Sequence, residues 1–168
     1  MILIVNTTTD TGITDRIRSE LDGRSDNVEM LEAGEWKITH CMGCNHCWLK
    51  TPGICSITDD YDRILRKMVQ ADQLWVISDT ALGFLDHKGK NIFDRMMPLA
   101  TMNLKVEGKQ MRHILRYDKR TDIGIIYRGG SDKDYLKRWN ERAALNFGSR
   151  SLGVYDVSEV KEAVSCVC

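Results

Sequence analysis

An α/β fold, a five-stranded parallel sheet with helices on both faces, is what the sequence predicts. Short apolar runs recur along the chain, at residues 2–5, 74–77 and 123–127. They are continuous where a half-exposed strand would alternate, which is the pattern of strands buried on both faces. Segments with 3.6-residue apolar spacing separate them, giving the strand–helix alternation of a parallel sheet.

The first run, residues 2–5, is a strand. Residues 7–14 are polar and end in a helix start. Thr14 is the expected N-cap, with Ile13, Ile17 and Leu21 on one face, and Asp22-Gly23 the stop. Residues 28–31 make a weaker second strand. Residues 35–60 carry most of the cysteines and read as a long ordered loop. Asp59 or Asp60 caps the next helix, whose stripe is Tyr61, Ile64, Leu65, Met68 and Val69. Residues 74–77 form the third strand. A loop over 79–89 leads to a helix with Ile92, Phe93, Met96, Met97 and Ala100 on one side. Residues 101–121 show no clear period and are assigned no element. Residues 123–127 are the fourth strand. Ser131 or Asp132 starts a helix through Tyr135, Leu136 and Trp139 to about Phe147-Gly148. Residues 152–157 are the fifth strand and 158–164 a last short helix. Five such strands fit the order 2-1-3-4-5. No repeat, low-complexity tract or linker interrupts residues 1–168, so a single domain is expected.

A chain of 168 residues can bury about 70 % of the surface its unfolded form exposes. With 42 % hydrophobic and 29 % charged residues it has a globular profile. Lys+Arg and Asp+Glu are both 24, so the basic excess of a phosphate-backbone binder is missing and a nucleic-acid partner is not expected. No apolar run approaches 18 residues, so no membrane span is expected either. The start carries no basic stretch and runs directly into a strand, with no signal-peptide pattern, and a cytoplasmic location is expected. The six cysteines are then informative, because clustered cytosolic thiols point to metal or redox chemistry.

Open α/β sheets bind ligands beyond the carboxyl ends of their strands, at the switch point. Residues 9–14 there read T-x-T-G-x-T. Hydroxyls, a glycine and a helix N-terminus make a phosphate cradle. The loop holds no lysine, which excludes a nucleoside-triphosphate P-loop. C-x2-C-x2-C-x7-C at Cys41, Cys44, Cys47 and Cys55 lets successive thiols converge on one small object. A compact run of three suits a cubane cluster better than zinc, which more often takes two separated pairs. A [4Fe–4S] cluster, zinc, and a metal-free structural loop all remain open on spacing alone. Cys166-x-Cys168 reads as a frayed tail. Lys105 to Arg120 reads as a surface or interface stretch, with a pocket for the extra phosphate of NADPH as the lesser alternative.

The T-x-T-G-x-T loop resembles the FMN-phosphate loop of flavodoxins. The cysteine segment with Asp59-Asp60 behind it resembles that of the iron–sulfur flavoproteins and related NAD(P)H-dependent FMN reductases. The run Lys90 to Arg95 resembles their K-x-x-x-D-R, and Asp122 to Tyr127 their fourth strand. The first loop departs from the frequent Gly-Ser-Pro-Arg, and Asp79-Thr80-Ala81 stands where many relatives have Pro-x-Tyr. The resemblance implies a flavodoxin-like FMN oxidoreductase, with NAD(P)H as a possible donor and a small-molecule or protein redox partner. It places the phosphate on Thr8, Thr9, Thr11, Gly12, Ile13 and Thr14. The flavin ring falls against Thr80, Ala81, Leu82, Gly83 and Phe84, with Tyr127, Gly129 and Gly130 closing the other side. Leu82 and Phe84 could pack on the ring or in the core. A cluster, where present, takes Cys41, Cys44, Cys47 and Cys55. Trp48 on a long exposed loop suggests a homodimer or higher homo-oligomer.

Overall fold

The computed structural model describes residues 1–21, 23 and 27–167. Asp22 of the expected helix stop, and Cys168, lie outside the described residues. In chain order the first elements are β1 (Ile2–Asn6), α1 (Gly12–Leu21), β2 (Val28–Glu32), α2 (His46–Leu49) and α3 (Tyr61–Met68). Then come β3 (Gln73–Ala81), β4 (Phe84–Leu85), α4 (His87–Asp94), β5 (Ala100–Glu107) and β6 (Gln110–Leu115). The chain closes with β7 (Asp122–Arg128), α5 (Lys133–Asn146), β8 (Ser151–Asp156) and α6 (Val160–Ser165).

The central sheet runs β2-β1-β3-β7-β8, and all four pairings along it are parallel. This is the expected 2-1-3-4-5 order, with β7 and β8 as its fourth and fifth strands. Successive strand residues point to opposite faces, so each continuous apolar run serves two cores. Leu3, Val5, Leu74, Val76, Ile123 and Ile125 face α3, α4 and α5. Ile4, Trp75, Ile77 and Ile126 face α1 and α6, where Ile13, Ile17, Val160 and Val164 meet them.

Besides the short helix α2 inside the 35–60 loop and the hairpin at 80–84, the structure differs from the sequence reading at three places. Thr14 is the third residue of α1, not its cap; its hydroxyl lies 2.7 Å from the Thr11 carbonyl and 2.5 Å from Glu32 Oε1. Helix α4 starts earlier than expected, because Asp86 caps it by accepting the Gly89 N–H at 2.9 Å. It ends at Asp94, so Met96 and Met97 lie beyond it and Ala100 opens a strand.

Residues 101–121 are the third difference. They contain a two-stranded antiparallel ribbon, β5–β6, separate from the main sheet. Such a ribbon is marginal alone and needs anchors. Trp48 supplies one: its indole donates to the Met97 carbonyl at 2.8 Å and its ring lies 4.8 Å from that of His113. Arg116 supplies another, donating to the carbonyls of Pro98, Ala100 and Cys47. Trp48 is therefore spent inside the chain, which removes it as evidence for self-association. Met102, Leu104, Val106 and Met111 on the ribbon remain exposed.

Candidate functional site

The carboxyl ends of β1, β3 and β7 bring the three expected segments together. Thr7 donates its N–H and its hydroxyl to the Ile77 carbonyl, at 2.9 and 2.8 Å. Arg128 bonds Asp10 at 2.8 Å and both Asp79 oxygens, at 2.6 and 3.1 Å. The Asp132 N–H reaches the Gly83 carbonyl at 3.0 Å.

In the first loop the side chains of Thr8, Ile13 and Thr14 are used by the fold. The Thr8 hydroxyl is buried on Asn6, Ile13 is core, and Thr14 faces Glu32. Thr9, Thr11 and Gly12 are exposed. Asp15 is the first residue of α1 whose N–H finds a backbone carbonyl, that of Thr11. Among the described residues the N–H groups of Ile13 and Thr14 have no acceptor, which is the helix-terminus seat an anion uses. Gly12 N–H is already taken by Asp10 Oδ1 at 3.0 Å, and Glu32 is held nearby by Asn6 at 2.8 Å. Two carboxylates thus border the seat, and Arg128 is the cation that offsets them. Its hydrogen bonds to Asp79 hold it above the ordinary arginine range. Asp10, Glu32 and Arg128 carry no local sequence signal, because they meet only through the fold. Asp10→Asn keeps the cap and removes a charge. Helix-terminus charges are worth about 0.3–1 kcal/mol, so if the seat takes a phosphate such as that of FMN, its affinity should rise about two- to fivefold, as read by titration. A fall would place the phosphate elsewhere.

The segment expected to meet the ring is a tight hairpin, not an open loop. Thr80 and Ala81 end β3, Phe84 starts β4, and Leu82 and Gly83 form the turn with φ of 52° and 78°. Two positive φ values are what a two-residue primed turn requires, and a leucine in that region is uncommon. The Leu82 side chain is fully exposed. Phe84 instead packs on Tyr135 and Trp139, with centroids 5.7 and 5.1 Å away, and Tyr127 is buried in the same core. Gly129 and Gly130 are exposed; a Cβ on Gly129 would stand 2.5 Å from Thr80 Oγ1.

Cys41, Cys44, Cys47 and Cys55 line one cavity of about 320 Å³, closed on another side by Asp94, Arg95, Met97 and Pro98. Left-handed backbone at Gly43 and Asn45 turns the chain between them. Ser56, 3.3 Å from the Cys44 sulfur, and the His46 N–H pull the Cys44 thiol below its ordinary pKa. Burial, and then the neighbouring thiols, push Cys47 up. Among the described residues no three His, Cys, Asp or Glu side chains converge closely enough for one metal ion, which needs donors at about 2.3 Å for sulfur. A cluster takes one thiolate per iron at the corners of a larger body, and four thiols spread around one cavity suit it.

Arg95 was legible only as part of K-x-x-x-D-R, yet it is the buried base of this site. It pairs with Asp59 at 2.6 Å and reaches the Cys55 sulfur at 3.5 Å. Burial opposes ionisation of Asp59, but Arg95 and the Thr39 N–H outweigh it and hold the carboxyl below the usual range. Asp59 also accepts the Tyr61 N–H at 3.1 Å, whereas Asp60, which stands at the N-cap of α3, makes no side-chain cap bond and accepts the Lys37 N–H instead. Cys166 lies apart, 3.3 Å from the Tyr155 hydroxyl, whose pKa is pushed up to about 12 by burial and by that thiol. His113, unassigned from sequence, lies tilted against the Trp48 ring and contacts the Thr101 carbonyl at 2.8 Å.

Helix α4 starts beside the 80–84 hairpin and ends at the cysteine cavity. Its 8 residues span about 12 Å at 1.5 Å each. The basic residues Lys105, Arg112 and Arg120 share a polar hollow with Glu107, Asp118, Asn146 and Gly148. That hollow lies at the far end of α5, whose 14 residues span about 21 Å from the 80–84 hairpin.

No family model matches the chain. An iron–sulfur flavoprotein of Methanocaldococcus jannaschii is 37% identical over 72 residues, 43% of this chain and 36% of that protein. The match therefore spans about a third of that relative's length. Among solved structures, RosB with bound 8-demethyl-8-formylriboflavin-5'-phosphate superposes with a TM-score of 0.66 at 12% identity, covering 98% of this chain and 75% of that one. Two-electron reduced flavodoxin of Megasphaera elsdenii superposes with a TM-score of 0.51 at 13% identity, covering 99% and 98%. Together with the 2-1-3-4-5 strand order, these likenesses show that the chain has the flavodoxin-like fold.

Proposed function

We propose that the protein is an FMN-binding oxidoreductase of the NAD(P)H-dependent flavin or quinone reductase type, acting in the cytoplasm on a small-molecule or protein redox partner. One observation carries the reading: the anion seat on α1, the 80–84 hairpin and the 129–130 glycines meet at the carboxyl ends of β1, β3 and β7. FMN supplies the hydride and electron chemistry when bound. The N–H groups of Ile13 and Thr14 and the hydroxyls of Thr9 and Thr11 hold its phosphate. Arg128 balances Asp10 and Glu32 beside it. The backbone of residues 80–83 and Gly129-Gly130 lines the ring, and the uncovered Leu82 side chain shields it from water. Phe84 and Tyr127 support this wall from the core.

Gly12→Val puts a branched side chain at the seat, where a Cβ already meets Asp10 Oδ1 at 3.0 Å. Losing a hydrogen bond to a charged group costs about 1.5–3 kcal/mol, so FMN affinity should fall by roughly 10- to 150-fold. Riboflavin, which has no phosphate, serves as control. Equal affinity of wild type and variant for FMN would contradict the phosphate seat.

A second reading adds to the first. The four thiols on one cavity favour a [4Fe–4S] cluster at Cys41, Cys44, Cys47 and Cys55, making the protein an electron carrier between cluster and flavin. The similarity to an iron–sulfur flavoprotein supports it. Iron and acid-labile sulfide analysis after purification without oxygen tests it. The exposed ribbon residues Met102, Leu104, Val106 and Met111 replace Trp48 as support for a homo-oligomer. A monomer in analytical ultracentrifugation counts against that assembly.

A further inference from the structure

We propose that Arg95 is the positioning residue of the cysteine site: it closes the base of the loop over residues 39–59 and hydrogen-bonds the Cys55 sulfur, and so sets the lifetime and potential of a cluster held there. The inference rests on the cluster reading above.

Arg95 follows the last turn of α4 and its side chain is 1% exposed. A guanidinium taken out of water in this way must be paired and hydrogen-bonded. Its Nη1 donates to both Asp59 oxygens, at 2.7 and 2.6 Å, and to the Thr39 carbonyl at 3.2 Å. Its Nη2 donates to the Ile57 carbonyl at 3.2 Å and to the Cys55 sulfur at 3.5 Å. The guanidinium lies over the Tyr61 ring, 4.4 Å from its centroid. Thr39 precedes the first cysteine; Ile57 and Asp59 follow the last. Asp59 also accepts the Thr39 N–H at 2.8 Å. Both stems of the loop therefore close on one buried ion pair, carried by a different element. This holds Cys41 and Cys55 at one cavity before anything binds there.

Arg95 also lines the cavity itself, beside the four cysteines. The Cys55 sulfur that its Nη2 already reaches is the acceptor a cluster would carry as a ligand. Only arginine has donors enough for this set: lysine keeps the charge but cannot serve Asp59, two carbonyls and a sulfur in fixed geometry. Hydrogen bonds to cluster sulfurs and nearby positive charge favour the reduced, more negative state, so they raise the potential.

The test uses the full chain reconstituted with iron and sulfide without oxygen. Arg95→Lys keeps the pair with Asp59, and Arg95→Gln with Asp59→Asn removes both charges together, so neither strands a buried carboxylate. Both should keep wild-type circular dichroism and FMN binding. Losing a hydrogen bond to a metal ligand costs about 10–100-fold in metal affinity, so both should yield iron to a chelator correspondingly more readily. Their midpoint potential, followed by electron paramagnetic resonance, should move to more negative values. A purely structural Arg95 would change folding and leave the potential alone. Wild-type iron retention and potential in a folded Arg95→Lys protein overturn the proposal. Wild type that takes up no iron or sulfide overturns the cluster reading itself, and this inference with it, before any variant is compared.

Discussion

Serine at Cys44 or Cys55 is expected to remove most iron and sulfide from protein prepared without oxygen, while FMN stays bound. Three thiolates cannot replace the charge and coordination of four, and serine is a hard, poorly ionised substitute. Cys44 is exposed and its thiol is already biased toward the thiolate by Ser56 and the His46 N–H. Cys55 takes the Arg95 hydrogen bond. The flavin should survive because the seat proposed for it, on α1 and the 80–84 hairpin, lies at the other end of α4 from the cavity. Cys166→Ser should change nothing in iron content, since that thiol contacts Tyr155 and not the cavity. Undiminished iron in both Cys44→Ser and Cys55→Ser would mean that these thiols are not ligands.

A large loss of stability is expected from Gly124→Val. Gly124 lies in the middle of β7, and an added Cβ would stand 2.4 Å from the Trp75 ring, closer than real contacts allow. Trp75 cannot yield: it is fully buried, its indole donates to Gln73 at 3.0 Å, and Tyr155 lies 6.0 Å from it. Overpacking a close-packed core typically costs about 1–3 kcal/mol and occasionally more. Against a total of about 5–15 kcal/mol for a domain, this should lower the urea midpoint clearly at nearly unchanged slope. A wild-type midpoint would show that the ring does not rest on this glycine.

The central sheet is legible in the sequence because each of its strands is covered on two faces. Residues 74–77 and 123–126 read as unbroken apolar runs, and their helices show one clean stripe, as Tyr61, Ile64, Leu65 and Met68 do on α3. The alternation gives a parallel sheet, and five strands fit the 2-1-3-4-5 order that the structure has. The β5–β6 ribbon is not legible, because it packs on no sheet. Leu104 and Val106 alternate with charged residues, but the exposed apolar side chains serve no core that the pattern could reveal. Its anchors, Trp48 and Arg116, come from distant positions. The start of α4 was hidden behind Asp86, whose capping bond to Gly89 turns a stretch read as loop into helix.

The candidate site divides in the same way. The positions of its loops follow from topology, and the cysteine spacing follows from the string. What each residue does there does not. Phe84 faces the core because the 82–83 turn leaves it on the inner side of β4, and Thr14 faces Glu32 because α1 begins at Gly12. The Arg95–Asp59 and Arg128–Asp10 pairs join residues 36 and 118 positions apart, and no local pattern marks such partners.

The central claim is that the loops at the ends of β1, β3 and β7 bind FMN, and the most direct measurement is the flavin content of the purified full chain, followed by titration of flavin-free protein with FMN. FMN at one per chain, or saturable uptake that weakens in Gly12→Val and is poorer for riboflavin, is the expected result. Protein that carries no flavin and takes up none on titration would contradict the account.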